Sequence, residues 1–73
     1  MDGFYGKIAE ILEVDAVNPS DLLADFPEWD SLSVLSVIAM AGSDYGVVLT
    51  AADLRGVGTA QGLHDLVALK SGK

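Results

Sequence analysis

The sequence contains no cysteine and few basic residues. Without cysteine, this chain of 73 residues can form neither a disulfide framework nor a thiolate metal site. Four Lys and Arg residues stand against eleven Asp and Glu residues, which gives a formal net charge of −7. Such a charge repels nucleic acid and anionic membrane surfaces and favours basic patches on proteins. We therefore expect protein partners, no nucleic-acid binding and no stable membrane insertion.

Long apolar runs are also missing. No stretch of about 18 apolar residues occurs and no basic apolar leader opens the chain, so we expect a cytoplasmic protein. Hydrophobic residues still make up 51% of the chain, which is too many for a disordered protein. The length predicts one domain over residues 1–73, with a core that supplies no more than about 3–5 kcal/mol of net stability. We expect this domain to be a monomer.

Histidine occurs once, at His64. The pattern around it predicts a solvated residue on a helix, beside Asp65, rather than a general base. No Ser-His-Asp arrangement and no metal-ligand spacing can be proposed from the sequence. The chain is therefore predicted not to be an enzyme and to have no metal site.

The spacing of apolar residues predicts an all-α fold, a small bundle of three main helices and one short helix. The first helix is predicted over about residues 2–13, with Asp2 as its N-cap. Its apolar stripe consists of Phe4, Ile8, Ile11 and Leu12. A long loop follows over residues 14–30, where two prolines bias the preceding residues towards extended backbone. Residues 20–23 are predicted to form one short helical turn in this loop.

The second helix is predicted over about residues 31–42 and carries apolar residues on most of its surface. The residues assigned to the core are Val34, Leu35, Ile38, Ala39 and Ala41. The residues assigned to the exposed face are Ser33, Ser36, Val37 and Met40. Gly42-Ser43 is predicted to end the helix, followed by a turn at residues 44–46 and an extended pair, Val47-Val48.

Two capping residues mark the remaining helices. Thr50 and Asp53 have the spacing of a capping box, which predicts a short helix over about residues 51–55. Thr59 is predicted to cap a closing helix over about residues 60–70, with Leu63, Leu66 and Val67 buried. Small residues on the core side allow two interpretations, room for a bound chain or close approach of the helices. These small residues are Ala39, Ala41, Gly58 and Gly62.

The most informative stretch is Asp30-Ser31-Leu32, at the predicted start of the second helix. Asp30 is placed to cap the free N–H groups of the first turn, and Ser31 takes the first helical position. A phosphate on the Ser31 hydroxyl would be stabilised there by the helix dipole and the unpaired amides. The pattern thus favours Ser31 as the attachment point of a phosphodiester.

This tripeptide at the head of an apolar helix, in a small acidic protein, resembles the acyl carrier protein family and its peptidyl and aminoacyl relatives. The resemblance extends over nearly the whole chain and implies an acyl-carrier-like bundle. It implies that 4′-phosphopantetheine from coenzyme A is attached to Ser31, between Asp30 and Leu32, and that the arm carries acyl groups as thioesters. It also implies three kinds of partner: a phosphopantetheinyl transferase, an acyl- or aminoacyl-loading ligase, and acyl-transferring or chain-extending synthases.

The sequence departs from carriers of fatty acid synthesis along the second helix. The positions that are usually acidic there are neutral in this chain, namely Ser33, Ser36, Gly42 and Ser43. Carboxylates instead concentrate in the loop before Ser31. We therefore predict docking through apolar contact and the acidic loop rather than through an acidic helix face. The predicted partner-binding residues are Trp29, Leu32, Ser33, Ser36, Val37 and Met40.

Two alternatives remain open from the sequence. An aminoacyl or peptidyl carrier served by a dedicated ligase would use the same chemistry on Ser31 with a different cargo. A protein from another class, an unmodified helical interaction module, would recruit a partner through the face of Ser33, Val37 and Met40.

Overall fold

A computed structural model describes residues 3–71. Within that range it contains four α-helices, one 3₁₀ turn and no β-strand. The α-helices are α1 (Phe4–Leu12), α2 (Ser31–Tyr45), α3 (Ala51–Gly56) and α4 (Ala60–Lys70), and the 3₁₀ turn is Leu23–Asp25. Helix α1 packs against α2 and α4, and α2 packs against α3. The prediction of an all-α bundle with three main helices and one short helix is confirmed for these residues.

Helix α1 buries one apolar side. Phe4, Ile8 and Leu12 are completely buried, and Ile11 packs partly buried beside them. Their spacing places them on one side of the helix, so this stripe follows from the sequence. The N-cap position is occupied by Gly3, while the predicted cap, Asp2, lies outside the described residues.

The connection between α1 and α2 contains a short turn that lies later in the chain than predicted. The 3₁₀ helix spans Leu23–Asp25, whereas the sequence predicted a turn at residues 20–23. Leu22 instead has extended backbone and pairs with Thr59 in an isolated antiparallel bridge. The next residue, Leu23, is buried in the core. A contact with a distant residue therefore determines where the turn forms.

Helix α2 is longer than predicted. The expected end at Gly42-Ser43 was wrong, since the helix continues to Tyr45 and Gly46 takes the C-cap position. Gly46 has φ 66°, a left-handed conformation that costs glycine little. The added turn carries Asp44, whose Oδ2 lies 3.0 Å from Lys7 Nζ and so links α2 to α1. Both side chains are partly exposed, so this ion pair contributes little to stability.

The two faces of α2 also differ from the prediction. The buried residues of this helix are Ser33, Val37 and Ala41. Leu35 and Ala39, which were assigned to the core, are exposed, while Val34 and Ile38 are partly buried. Apolar residues surround most of this helix, so periodicity alone does not select the buried side. Packing against α1 and α3 selects the face with the smaller side chains.

The predicted caps of α3 and α4 are confirmed. The Asp53 backbone N–H donates to Thr50 Oγ1 at 3.2 Å, and the Thr50 N–H donates to Asp53 Oδ2 at 3.1 Å, which completes a capping box. Thr59 Oγ1 accepts from the Gly62 N–H at 3.0 Å at the start of α4. Helix α4 buries Leu63 and Val67. Leu66, the third residue predicted to be buried, is only partly buried.

Gly62 packs closely against a neighbouring backbone. A Cβ atom at this position would overlap the carbonyl oxygen of Val57. This geometry favours close approach as the role of Gly62, and the exposure of Ala39 removes that residue from the set of core-side small residues. None of the helices within residues 3–71 has the length and apolar character needed to cross a membrane.

Candidate functional site

Asp30 caps the start of α2. Its backbone is extended, and its side-chain Oδ1 accepts a hydrogen bond from the Ser33 N–H at 3.1 Å. Its carbonyl oxygen accepts from the Val34 N–H at 2.9 Å, which begins the regular helical pattern. Asp30 is therefore the N-cap, as the sequence predicted, and Ser31 occupies the first helical position with an exposed side chain.

Two backbone amides at this helix start remain open. Among residues 3–71, the N–H groups of Ser31 and Leu32 donate to no protein acceptor. The first turn of α4 is different, because all three of its leading amides are used. Their acceptors are the carbonyl oxygen of Asp21 for Ala60, that of Pro19 for Gln61, and Thr59 Oγ1 for Gly62. The positive end of α2 is thus available to an anion, whereas that of α4 is occupied by the connection.

Helix α3 also begins with open amides but lacks a nucleophile. Its first two residues are Ala51 and Ala52, and their N–H groups have no protein acceptor within the described range. Of these three helix starts, only α2 combines open amides with an exposed hydroxyl. A phosphate on Ser31 would lie where the helix dipole and the two open N–H groups stabilise negative charge.

No base is hydrogen-bonded to Ser31 within the described residues. Its hydroxyl makes no hydrogen bond within residues 3–71, and no histidine or lysine lines the adjacent groove. In the same range, no three His, Asp or Glu side chains converge to hold a metal ion. The Ser31 hydroxyl is therefore not paired with a base in the way that an activated serine nucleophile is.

A groove beside Ser31 is acidic. It lies between the end of α1 and the start of α2, and its carboxylates are Glu13, Glu28 and Asp30. Within the described part of the chain, none of the three forms an ion pair. Ile11 and Leu32 supply the apolar lining. The groove therefore offers negative potential and apolar contact to a partner that approaches Ser31.

The predicted partner-binding residues divide into three groups. Leu32 is 75% exposed, and Ser36 is exposed as well. Trp29 and Met40 are half-buried and pack against the core. The remaining two were wrongly placed on the exposed face, since Ser33 is 7% exposed and Val37 is completely buried.

Sequence reasoning missed Leu35 and Ala39 as surface residues. Leu35 is 60% exposed, and Ala39 lies one turn further along the same face. Together with Leu32 they occur at i, i+3 and i+7, the spacing of one helix face. That spacing was present in the sequence, but the same pattern also fits a buried stripe.

His64 lies outside this site. It was predicted to be solvated, but its ring is partly buried and stacks on Tyr5 with 5.5 Å between ring centroids. It also makes an edge contact with Phe4. Its Nδ1 lies 3.2 Å from Asp65 Oδ1, the neighbour that the sequence suggested. His64 is thus part of the contact between α1 and α4.

Comparisons of the chain with protein families, with curated proteins and with solved structures found no match.

Proposed function

We propose that this chain is a carrier protein that holds acyl groups as thioesters on a 4′-phosphopantetheine arm attached to Ser31. The observation that carries the proposal is the exposed Ser31 hydroxyl at the start of α2, beside two open amides and with no base hydrogen-bonded to it within the described residues. A carrier needs a hydroxyl that another enzyme can reach and activate. It does not need a catalytic group, so we propose that this protein is not an enzyme.

The residues at the start of α2 fit such an arm. The Ser31 oxygen would form the phosphodiester, and the open N–H groups of Ser31 and Leu32 would stabilise its negative charge. Asp30 keeps the helix start in place through its cap. The arm supplies the thiol that forms the thioester, so the chain itself needs no cysteine. A phosphopantetheinyl transferase would supply the base that takes the Ser31 proton.

The enzymes that use the arm would dock on the exposed face of α2, which consists of Leu32, Leu35, Ser36 and Ala39. This set replaces the predicted one, because Ser33 and Val37 are buried. The face carries no charge, so we expect its affinity for a transferase or synthase to depend less on salt than that of a carrier with an acidic helix face. The acidic groove beside Ser31 would add contact with basic side chains.

The docking face can be tested with two leucines of similar exposure. Leu35→Ala removes an apolar contact beside Ser31, whereas Leu69→Ala removes one from α4. We expect Leu35→Ala to weaken binding to the transferase by about fivefold or more, as truncation of an interface contact does. Leu69→Ala should bind like the unsubstituted protein. Equal affinities for the two variants would contradict this docking face.

The attachment itself is tested by intact mass spectrometry after incubation with coenzyme A and a broad-specificity phosphopantetheinyl transferase. We expect a gain of one phosphopantetheine. Ser31→Ala should abolish the gain, and Ser36→Ala, on the exposed face of the same helix, should keep it. No gain on the unsubstituted protein, or a gain that survives Ser31→Ala, would refute the proposal.

The cargo decides between two kinds of carrier. We propose a monomeric, cytoplasmic acyl carrier loaded by an acyl ligase and used by acyl-transferring or chain-extending synthases. An aminoacyl or peptidyl carrier would use the same Ser31 chemistry with a dedicated aminoacyl ligase. Loading the arm-bearing protein in parallel with an acyl ligase and an aminoacyl ligase separates the two.

A second candidate function is an unmodified helical interaction module. The two exposed leucines of α2, Leu32 and Leu35, favour it, since apolar residues at one helix face suit a protein partner even without an arm. The mass experiment distinguishes this candidate, because a module would gain no phosphopantetheine.

A further inference from the structure

The two serines in the first turn of α2 have opposite environments. Ser31 is exposed, whereas Ser33 is 7% exposed and makes two hydrogen bonds to the segment that precedes the helix. Its hydroxyl donates to the backbone carbonyl oxygen of Glu28. Its backbone N–H donates to Asp30 Oδ1 at 3.1 Å. One buried residue therefore holds both ends of residues 28–30, the three residues before Ser31.

A turn and the side chain of Trp29 also hold residues 28–30 in place. The Trp29 N–H donates to the carbonyl oxygen of Phe26 at 3.0 Å, which closes a turn around Pro27. The Trp29 side chain packs partly buried against the core. Residues 28–30 are thus held by the turn over residues 26–29, by the Trp29 side chain and by the two Ser33 hydrogen bonds. Ser31 follows directly, so its direction depends on how firmly this segment is held.

The Ser33 hydroxyl has no evident packing role. Alanine has the higher helix propensity and would bury no polar group at this site. A buried hydroxyl is tolerated here because it has an acceptor, and that acceptor is the Glu28 carbonyl. What serine adds over alanine is therefore this one hydrogen bond to the segment before Ser31.

We propose that Ser33 is a positioning residue for modification of Ser31. Its hydroxyl holds the Glu28 carbonyl against the first turn of α2, which keeps the Ser31 hydroxyl beside the open amides and directed to solvent. Ser33 does not touch the incoming phosphate. The inference rests on the proposed function, because it concerns how Ser31 is presented to a phosphopantetheinyl transferase.

The test compares three variants on α2 with the unsubstituted protein. Ser33→Ala removes the hydroxyl and leaves the backbone N–H that completes the Asp30 cap. Ser33→Thr keeps a hydroxyl at the same position. Ser43→Ala removes an exposed hydroxyl of α2 that makes no hydrogen bond within residues 3–71 and lies outside the docking face, and it serves as the matched control. The measurements are kcat and KM for arm transfer from coenzyme A and amide hydrogen exchange of each protein.

For Ser33→Ala we expect kcat to fall by about threefold to tenfold, the size expected for one hydrogen bond, with KM for the carrier unchanged. KM should not move because the exposed docking face is intact. Amide exchange should become faster at residues 29 and 33, whose N–H groups are hydrogen-bonded at this helix start, and stay unchanged in the rest of α2. Ser33→Thr should recover most of kcat, and Ser43→Ala should match the unsubstituted protein.

Two results would overturn the inference. One is a kcat for Ser33→Ala equal to that of Ser43→Ala. The other is faster exchange throughout α2 in Ser33→Ala, since that would make Ser33 a general stabilising residue. If the unsubstituted protein accepts no arm, the proposed function fails. The exchange rates at residues 29 and 33 then still show whether Ser33 holds this segment.

Discussion

Helices α1 and α2 distribute their apolar residues in opposite ways. The largest buried side chains of α1 are Phe4, Ile8 and Leu12. Helix α2 buries Ser33, Val37 and Ala41 and exposes Leu32 and Leu35. Burying a leucine stabilises a fold by about 1.5–3 kcal/mol, and Leu32 and Leu35 do not contribute this stabilisation in the isolated protein. Helix α1 therefore serves the fold, while the exposed face of α2 is available to a partner.

The largest difference in stability between α1 and α2 should appear when one large apolar side chain of each helix is truncated to alanine. Phe4→Ala should cost about 3–5 kcal/mol, because it empties a fully buried site. A core of this size supplies only about 3–5 kcal/mol in total, so the variant should be largely unfolded. Leu35→Ala should change the free energy of unfolding by no more than about 0.5 kcal/mol. Urea denaturation followed by circular dichroism measures both, and similar losses would contradict the division between the helices.

The two faces of α2 can be compared directly through two alanines. Ala41 is completely buried and Ala39 is exposed. Ala41→Leu should destabilise the protein by about 1–3 kcal/mol, because the close contacts on the buried side leave no room for the added atoms. Ala39→Leu should be tolerated within about 0.5 kcal/mol. Thermal unfolding of the pair measures the difference, and the reverse order would mean that the buried face is misassigned.

Two helical glycines extend the comparison to close backbone contacts. Gly62→Ala should destabilise by about 1–3 kcal/mol, because the added Cβ would overlap the carbonyl oxygen of Val57. Gly6→Ala, in α1, meets no atom within 4 Å and should stabilise by about 0.5–1 kcal/mol through helix propensity. Denaturant midpoints of the two variants test this. If Gly62→Ala were more stable than the unsubstituted protein, that result would contradict the close approach of α4 to Val57.

The smallest effect concerns α3, the short helix that packs against α2. The Thr50 backbone N–H lowers the pKa of Asp53, and Lys70 Nζ, at 3.7 Å, lowers it further. Since the pKa is lower in the folded state, the carboxylate stabilises the fold at neutral pH and loses that contribution as the pH falls below about 4. Asp53→Asn should therefore reduce stability at pH 7 but not near pH 2. Unfolding measured from pH 7 to pH 2 should show the two proteins converging, and a constant difference would refute this assignment.

The local features of this fold could be predicted from the sequence because neighbouring residues determine them. The caps at Asp30, Thr50 and Thr59 depend on a side chain and an amide three residues later, so spacing alone identified them. The apolar stripe of α1 was equally clear, because its other side carries polar residues. The exposed Ser31 at the helix start belongs to the same group.

The features that depend on distant contacts could not be predicted. Apolar residues surround α2, so its buried face is decided by packing, and Ser33 and Leu35 were assigned to the wrong sides. The helix end was misplaced because Gly42 and Gly46 are both suitable stops, and only the second has the left-handed backbone. The spacing of residue types does not predict the hydrogen bond from Ser33 to Glu28.

The connection before α2 has a consequence for how the chain folds. Its carbonyl groups at Pro19 and Asp21 accept hydrogen bonds from Gln61 and Ala60, residues that are far away in the sequence. Closing so large a loop costs entropy, so these bonds should form late, after the local helical turns. The first turn of α4 then opens whenever the connection detaches. Residues 19–21 and 60–61 should accordingly behave as one cooperative unit in native-state exchange, although they belong to different elements.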